Sequence, residues 1–285
     1  MISICGPTAS GKSDLSDDIA DLLSDRSGTL VPTILVDSMQ VYKEIPIISN
    51  QTRRRSAELM GIISVDEEWN VAKHRKESDR ILHGCSSKFC VLDAGTGMYL
   101  NAILMDIQLA PNVDTRTRQA AECIVAVHNS TSNARRESRR MELEISGAAL
   151  RGSVWDARLR FDTDLIYIRP PKDELAKSIE RRTRRIMDFA EPEIQTLRTM
   201  SEEGTQITPQ VKSAIGIREI EAYLAGKTTF EEATSGITSR TRALAKRQLT
   251  WFEKLVKTLN KKPDVRVVEI ANAAEFDHSM LGADS

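Results

Sequence analysis

Eight consecutive residues, Gly6-Pro7-Thr8-Ala9-Ser10-Gly11-Lys12-Ser13, carry the sharpest chemical signal in the chain. A glycine, four residues and then Gly-Lys-Ser is the spacing of a loop that turns backbone N–H groups inward around a polyphosphate. Gly6, Thr8, Ala9, Ser10 and Gly11 would frame the anion. Lys12 would add a point charge, and the Ser13 hydroxyl is placed to ligate Mg²⁺. The pattern specifies a polyphosphate; it does not specify which one, or what is done to it. Three more residues have the type and placement for chemistry. Asp37 closes the apolar run Thr33–Val36, and a carboxylate at a strand's carboxyl end suits a general base or an indirect metal ligand. It suits capping of the following turn as well. Thr96, in Gly95-Thr96-Gly97 after the run Phe89–Leu92, brings a hydroxyl to a second such edge. Arg182 lies on the apolar stripe Leu175, Ile179, Ile186, where a guanidinium needs an anion and a phosphate fits; snorkelling past a neighbour is the plainer alternative.

The elements that must hold these residues follow from the same patterns. Met1–Cys5 reads as a short buried strand, and Leu15, Ile19, Leu22 and Leu23 as one face of the helix after the loop. Strand, glycine loop and helix together are the setting the motif requires. Further strands are expected at 33–36, 89–92, 163–168 and 265–270, with helices at 70–84, 98–107 and 173–187. His74 is expected on a solvated helix face, and Arg53, Arg54 and Arg55 at the surface. Asp93 follows four apolar residues as in the metal-site strand of P-loop phosphotransferases, so a kinase stays in play. A helix opens at Thr208-Pro209 and closes at Gly226. The capping box Thr229 to Glu232 opens another, expected to break near Gly236. Beyond it, Leu244, Trp251, Leu255 and Leu259 face one way, while Arg240, Arg247, Lys254 and Lys261 recur on a basic side flanked by Arg242, Lys246 and Lys257, suited to a phosphate backbone. From 111 to 160 apolar spacing weakens and Arg135, Arg136, Arg139, Arg140, Arg151, Arg158 and Arg160 gather, with Trp155 as anchor. That excursion suits nucleic acid or a solvated face equally. The tail to Ser285 is expected to be loosely held.

At 285 residues, the chain suits one large domain or two smaller ones. Its 40 Lys+Arg and 41 Asp+Glu leave net charge silent about a nucleic-acid partner. Cys5, Cys85, Cys90 and Cys123 form no ligand cluster and read as small buried residues in a reducing compartment. No apolar run approaches a membrane span and the apolar start is too short for a signal peptide, so a cytoplasmic protein with no membrane partner is expected.

Taken together, Gly6–Ser13 (GPTASGKS), Val36–Lys43 (VDSMQVYK), Gly95–Leu100 (GTGMYL), Ile179–Arg182 (IERR), Ala214–Gly226 (AIGIREIEAYLAG) and Thr241–Phe252 (TRALAKRQLTWF) resemble the tRNA dimethylallyltransferase (isopentenyl transferase) family. The phosphate loop alone is common property; the second and last segments are specific. The resemblance implies an α/β fold: a P-loop NTPase-like parallel sheet flanked by helices, with a small mostly helical insertion and a helical C-terminal part. Residues 1–110 with 161–285 would form the catalytic core, and 111–160 a shortened, basic, tRNA-contacting insertion. The implied activity is transfer of a dimethylallyl group from dimethylallyl diphosphate to N6 of the adenosine beside the anticodon in tRNA. Asp37, Thr96 and Arg182 would be catalytic, and residues 6 and 8–13 would hold the diphosphate with Mg²⁺ at Ser13. Ser38, Gln40, Gly95, Gly97, Arg242, Lys246, Arg247 and Gln248 would contact substrate. A monomer is expected.

The chain departs from the family's pattern in three places. Gly61-Ile62-Ile63-Ser64-Val65 stands where a P-H-H-L segment is usual, Asp93-Ala94 stands before Gly95-Thr96 where G-G-T-G is usual, and the insertion is short. A smaller clamp leaves open a free adenine nucleotide as acceptor, as in cytokinin-forming adenylate isopentenyltransferases. A P-loop kinase and a tRNA binder without catalysis are the more distant alternatives.

Overall fold

The computed structural model describes residues 1–111, 113–127, 134–148, 152–263 and 265–281. Five short strands, β1 (Ile2–Cys5), β2 (Thr33–Val36), β3 (Val91–Ala94), β4 (Asp164–Ile168) and β5 (Arg266–Ile270), form one sheet in the order β2-β3-β1-β4-β5. All neighbours run parallel. Four of the strands are almost wholly buried, which is why they read as mostly apolar runs rather than alternating ones; β3 lies later than the 89–92 expected and takes in Asp93. The strand that separates β1 from β2 is β3, so the loops following those two strands are not adjacent; the turn after β3 lies between them.

Helix α1 (Lys12–Ser27) starts from Gly11 in a left-handed conformation (φ 84°) and ends at Gly28, whose N–H donates to the Ser24 carbonyl. Its Leu15, Ile19 and Leu23 join Ile2, Ile4, Val91 and Ile166 in one core cluster. The short α2 (Pro46–Ser49) precedes α3 (Val71–Gly84), which is capped by the Asn70 side chain. After β3 comes α4 (Gly97–Leu104), shorter than the span to 107 expected from sequence. His74 is buried, contrary to the solvated face expected: it accepts a hydrogen bond from Trp69 Nε1 at 3.2 Å and its ring lies 4.8 Å from that of Tyr99. Burial pulls its pKa down to about 4.

The chain divides into two compact units, Met1–Leu104 with Leu159–Ser285, and Met105–Arg158. The smaller unit holds α5 (Thr115–Val127) and α6 (Ala134–Ile145), with Ala121, Val125 and Leu143 buried. Its basic character is partly neutralised, since Arg139 pairs with Glu142 at 2.5 Å and Arg140 with Glu144 at 3.6 Å. Arg151 and the side chains of Arg135 and Arg136 lie outside the described residues. Arg160 belongs to the larger unit, where it forms a two-pronged ion pair with Asp79 of α3 at 2.9 Å.

The larger unit continues with α7 (Lys172–Phe189), α8 (Glu191–Glu202), α9 (Pro209–Lys212), α10 (Ile217–Leu224) and α11 (Phe230–Leu259). Two expectations fail here. The helix expected from 208 to 226 is broken at Gly216, whose φ of 111° no helix accommodates. The break expected at Gly236 is absent: α11 runs 30 residues. A Cβ at Gly236 would stand 3.2 Å from Cγ of Glu219, so glycine serves the close approach of α10 to α11. The C-terminal tail is held more firmly than expected, with Leu281 buried in the core. Residues 282–285 lie outside the described residues. Cys5 and Cys90 are buried, whereas Cys123 is exposed.

Candidate active site

The phosphate loop forms at the carboxyl end of β1. Its tight turn depends on glycine: a Cβ at Gly6 would sit 2.7 Å from the Ile168 carbonyl oxygen of β4. Ala9 takes a left-handed φ of 63°, and Gly11 delivers the chain into the N-terminus of α1. That helix end presents N–H groups and a positive dipole to an anion. Lys12 folds back so that Nζ donates to the Pro7 carbonyl at 2.7 Å. Burial lowers its pKa, and the nearby carboxylates of Asp93 and Asp37 oppose that shift. Ser10 Oγ is buried without a hydrogen-bond partner among the described residues. Its proton is free to be donated to an anion held in the loop.

Asp37 stands across the end of the intervening strand from the loop, where its charge is felt by Lys12. Its Oδ1 accepts from the N–H groups of Met39 at 2.8 Å and Gln40 at 3.3 Å, so the residue does cap the turn after β2. The other oxygen lies over Gly95, where a Cβ would stand only 2.5 Å from Oδ2. The absence of a side chain at Gly95 is what lets the carboxylate face the phosphate loop. Burial raises the Asp37 pKa, against the two N–H groups, Lys12 and Arg182, which lower it. One oxygen is fixed by backbone while the carboxyl has raised proton affinity, an arrangement suited to taking a proton.

Arg182 comes from α7 and points inward, as its stripe position suggested. Nη1 donates to Thr8 Oγ1 at 2.7 Å and Nη2 to the Ile48 carbonyl at 3.3 Å. Both acceptors are neutral, so the guanidinium keeps its full charge for an anion in the loop. The Ile48 carbonyl is itself placed from behind. Glu193 of α8 accepts from the N–H groups of Ile47 and Ile48 at the start of α2.

Thr96 Oγ1 accepts from the Ser38 N–H at 3.2 Å, which ties the turn after β3 to the segment after β2. Its hydroxyl proton remains available for donation. Gln248 joins the two loops: Oε1 accepts from Thr8 N–H at 2.7 Å and Nε2 donates to the Gly95 carbonyl at 2.7 Å. A Cβ at Gly97 would collide with the indole of Trp251, whose Nε1 donates to Asn101 Oδ1 at 3.0 Å. One face of α11 thus seats both loops. On its outer side Lys246 and Arg247 are exposed. Arg242 pairs with Glu180 of α7 at 2.9 Å, and Arg240 with Glu219 of α10 at 2.6 Å, so not every cation of the basic side faces solvent alone. Ser38 and Gln40 are half-buried beside Asp37, and the Ser38 carbonyl accepts from Gln210 Nε2 at 2.9 Å.

Arg53 is expected at the surface from sequence, and the structure buries it. Its side chain is 3% exposed and pairs with Asp17 and with Asp93, at 3.2 Å from the latter. Arg54, by contrast, is exposed and pairs with Asp18 and Asp21. The signal that could have found Arg53 was the pair of aspartates within apolar surroundings, Asp17 on α1 and Asp93 in β3, which together demand a cation.

Fold and site define a class: parallel α/β proteins in which a P-loop faces a carboxylate carried at the end of another strand of the same sheet. A family model described as IPP transferase matches residues 40–255, and the chain belongs to that family. It is 42% identical to a tRNA dimethylallyltransferase of Rubrobacter xylanophilus, over 99% of this chain and 98% of that one. A Rickettsia felis protein of the same name is 29% identical over 97% of this chain and 95% of its own. Among solved structures, a eukaryotic dimethylallyltransferase acting on tRNA matches with a TM-score of 0.71 at 22% identity, over 98% of this chain and 75% of that one. Among the described residues, no helix is long and apolar enough to cross a membrane.

Proposed function

We propose that this protein transfers a dimethylallyl group from dimethylallyl diphosphate to N6 of the adenosine beside the anticodon in tRNA. The observation that carries the reading is the opposition of two groups across one small space: a phosphate loop with Lys12 and Arg182 on one side, and the half-buried Asp37 carboxylate on the other. The C1–O bond of the prenyl diphosphate breaks as N6 attacks C1. The bonding pair leaves with the diphosphate, whose growing charge is met by the loop's N–H groups, Lys12, Arg182 and the Thr96 hydroxyl. The N6 proton passes to Asp37 Oδ2, the oxygen not committed to the turn. The adenine must leave its stack to reach a carboxylate at this depth. Exposed Lys246 and Arg247 on α11 supply a cationic surface for the RNA backbone.

Mg²⁺ fits the residues present. The donor offered by the loop is the Ser13 hydroxyl, and no cluster of three His, Cys, Asp or Glu forms among the described residues. A hard cation carried in on diphosphate oxygens needs few protein ligands. When bound it would neutralise charge on the leaving diphosphate. Asp93, the strand carboxylate that kept a kinase in play, is engaged by Arg53 and Ser16. The short insertion does not argue for a free nucleotide as acceptor, since the Rubrobacter relative aligns nearly end to end with this chain and bears a tRNA-directed name. The protein works as a monomer in this reading, because the loop, Asp37 and Arg182 come from one chain.

Asp37→Asn tests the mechanism. Transfer should fall by about 10²–10⁴-fold, while dimethylallyl diphosphate binding, measured by calorimetry, stays close to wild type. Near-normal turnover would remove Asp37 from the mechanism.

A further inference from the structure

Behind the phosphate loop lies a buried cluster that touches none of the reacting groups. Arg53 enters from the segment after α2. Its Nε donates to Asp17 Oδ1 at 3.1 Å, Nη1 to Asp93 Oδ2 at 3.2 Å and Nη2 to Ser16 Oγ at 3.0 Å. Asp17 Oδ2 in turn accepts from the N–H groups of Arg54 and Arg55, each at 3.1 Å, so the segment is clamped to α1 by backbone as well as side chain. Ser16 Oγ lies 2.9 Å from the Ser13 carbonyl and 3.3 Å from Asp93 Oδ2. The three charged side chains are 3%, 1% and 5% exposed.

The arrangement has an electrostatic consequence for the loop. Asp93 is the carboxylate with the largest favourable pull on the Lys12 ammonium. Without Arg53 it would be an uncompensated buried anion directly behind an anion site. It would draw Lys12 back and repel the diphosphate. We propose that Arg53 is a positioning residue for diphosphate capture: by pairing with Asp93 it releases Lys12 toward the substrate, and through Ser16 it fixes the first turn of α1 from which Lys12 and Ser13 project. The inference rests on the diphosphate-binding part of the function proposed above.

The test uses the full chain and inorganic pyrophosphate with Mg²⁺ as probe, read by calorimetry, alongside KM for dimethylallyl diphosphate and for tRNA. Arg53→Met should weaken pyrophosphate binding and raise KM for the prenyl donor by about ten-fold or more, since it strands two buried carboxylates, Asp17 and Asp93. KM for tRNA should stay within about two-fold, as the RNA surface is untouched. Adding Asp93→Asn should restore most of the lost affinity, because the anion acting on Lys12 is gone while Asp17 keeps the N–H groups of Arg54 and Arg55; a purely structural role for Arg53 predicts no such recovery. Unchanged affinity in Arg53→Met, or a double variant no better than the single, would overturn the proposal. Should Arg53→Met fail to fold, the Arg53→Met/Asp93→Asn pair against Arg53→Lys makes the same comparison: both should bind pyrophosphate near wild type, and a weak double variant would refute the charge argument. Pyrophosphate binding needs no prenyl transfer. A protein that binds it in an Arg53-dependent way yet transfers nothing would contradict the proposed function and leave this inference standing.

Discussion

Asp37 and Arg182 are coupled by charge, and that coupling has a sign. Burial raises the Asp37 pKa, and Arg182 is among the groups holding it down. In the proposed mechanism only the ionised carboxylate accepts the N6 proton, so activity should be lost as pH falls through the folded-state pKa. Arg182→Met removes a lowering influence, so the acid limb of kcat/KM for tRNA should move to higher pH, with weaker binding of the prenyl donor besides. Arg182→Lys retains the charge and should leave the limb near its wild-type position. A limb that does not move in Arg182→Met would show that the guanidinium is not felt at Asp37. Lys12 carries the opposite shift, lowered by burial, so the alkaline limb should fall below the ordinary lysine range.

At the scale of elements, the sheet carries the site and the helices buttress it. His74 on α3 is a buried neutral buttress, against Trp69 and Tyr99. Its pKa of about 4 lies below the unfolded value of 6.5. The unfolded chain therefore binds the proton first on acidification, and stability is lost as pH falls from 6.5 toward 4. From this residue alone the loss between pH 7 and pH 5 should be about 2 kcal/mol. Urea unfolding at the two pH values, for wild type and His74→Phe, should show that difference shrinking in the variant. An equal pH dependence in both would assign the acid sensitivity elsewhere.

The strands were legible because four of the five are buried on both faces and read as mostly apolar runs, although β3 begins two residues later than its apolar run and includes Asp93. The P-loop was legible because its chemistry is local, and Arg182 because a stripe position is a statement about direction. Arg53 was not legible. Arg53, Arg54 and Arg55 are alike in sequence, and which of them turns inward is decided by Asp17 and Asp93, which arrive from α1 and β3. The helix breaks were misread for a related reason. Gly216 and Gly236 look the same locally; one adopts φ 111°, and the other exists to let α10 approach. The order of strands also lay beyond the sequence. It puts β3 between β1 and β2, and so makes Gly95 the gap through which Asp37 faces the loop.

For the whole molecule the question is which adenine is served. The phosphate loop, Asp37 and Arg182 would act on a free nucleotide or on tRNA alike, while the exposed cations of α11 favour a long phosphate backbone. The Rubrobacter relative, matched over 98% of its length, carries the tRNA dimethylallyltransferase name. The decisive measurement is transfer of radiolabel from dimethylallyl diphosphate, with Mg²⁺, offered in parallel to unmodified tRNA with adenosine beside the anticodon, to AMP and to ATP. Label should appear in tRNA alone, at N6 of that adenosine. Label in the nucleotides alone would contradict the proposed function, and ATP turnover without prenyl transfer would contradict it more deeply, by making the phosphate loop a site for a nucleotide's own phosphates.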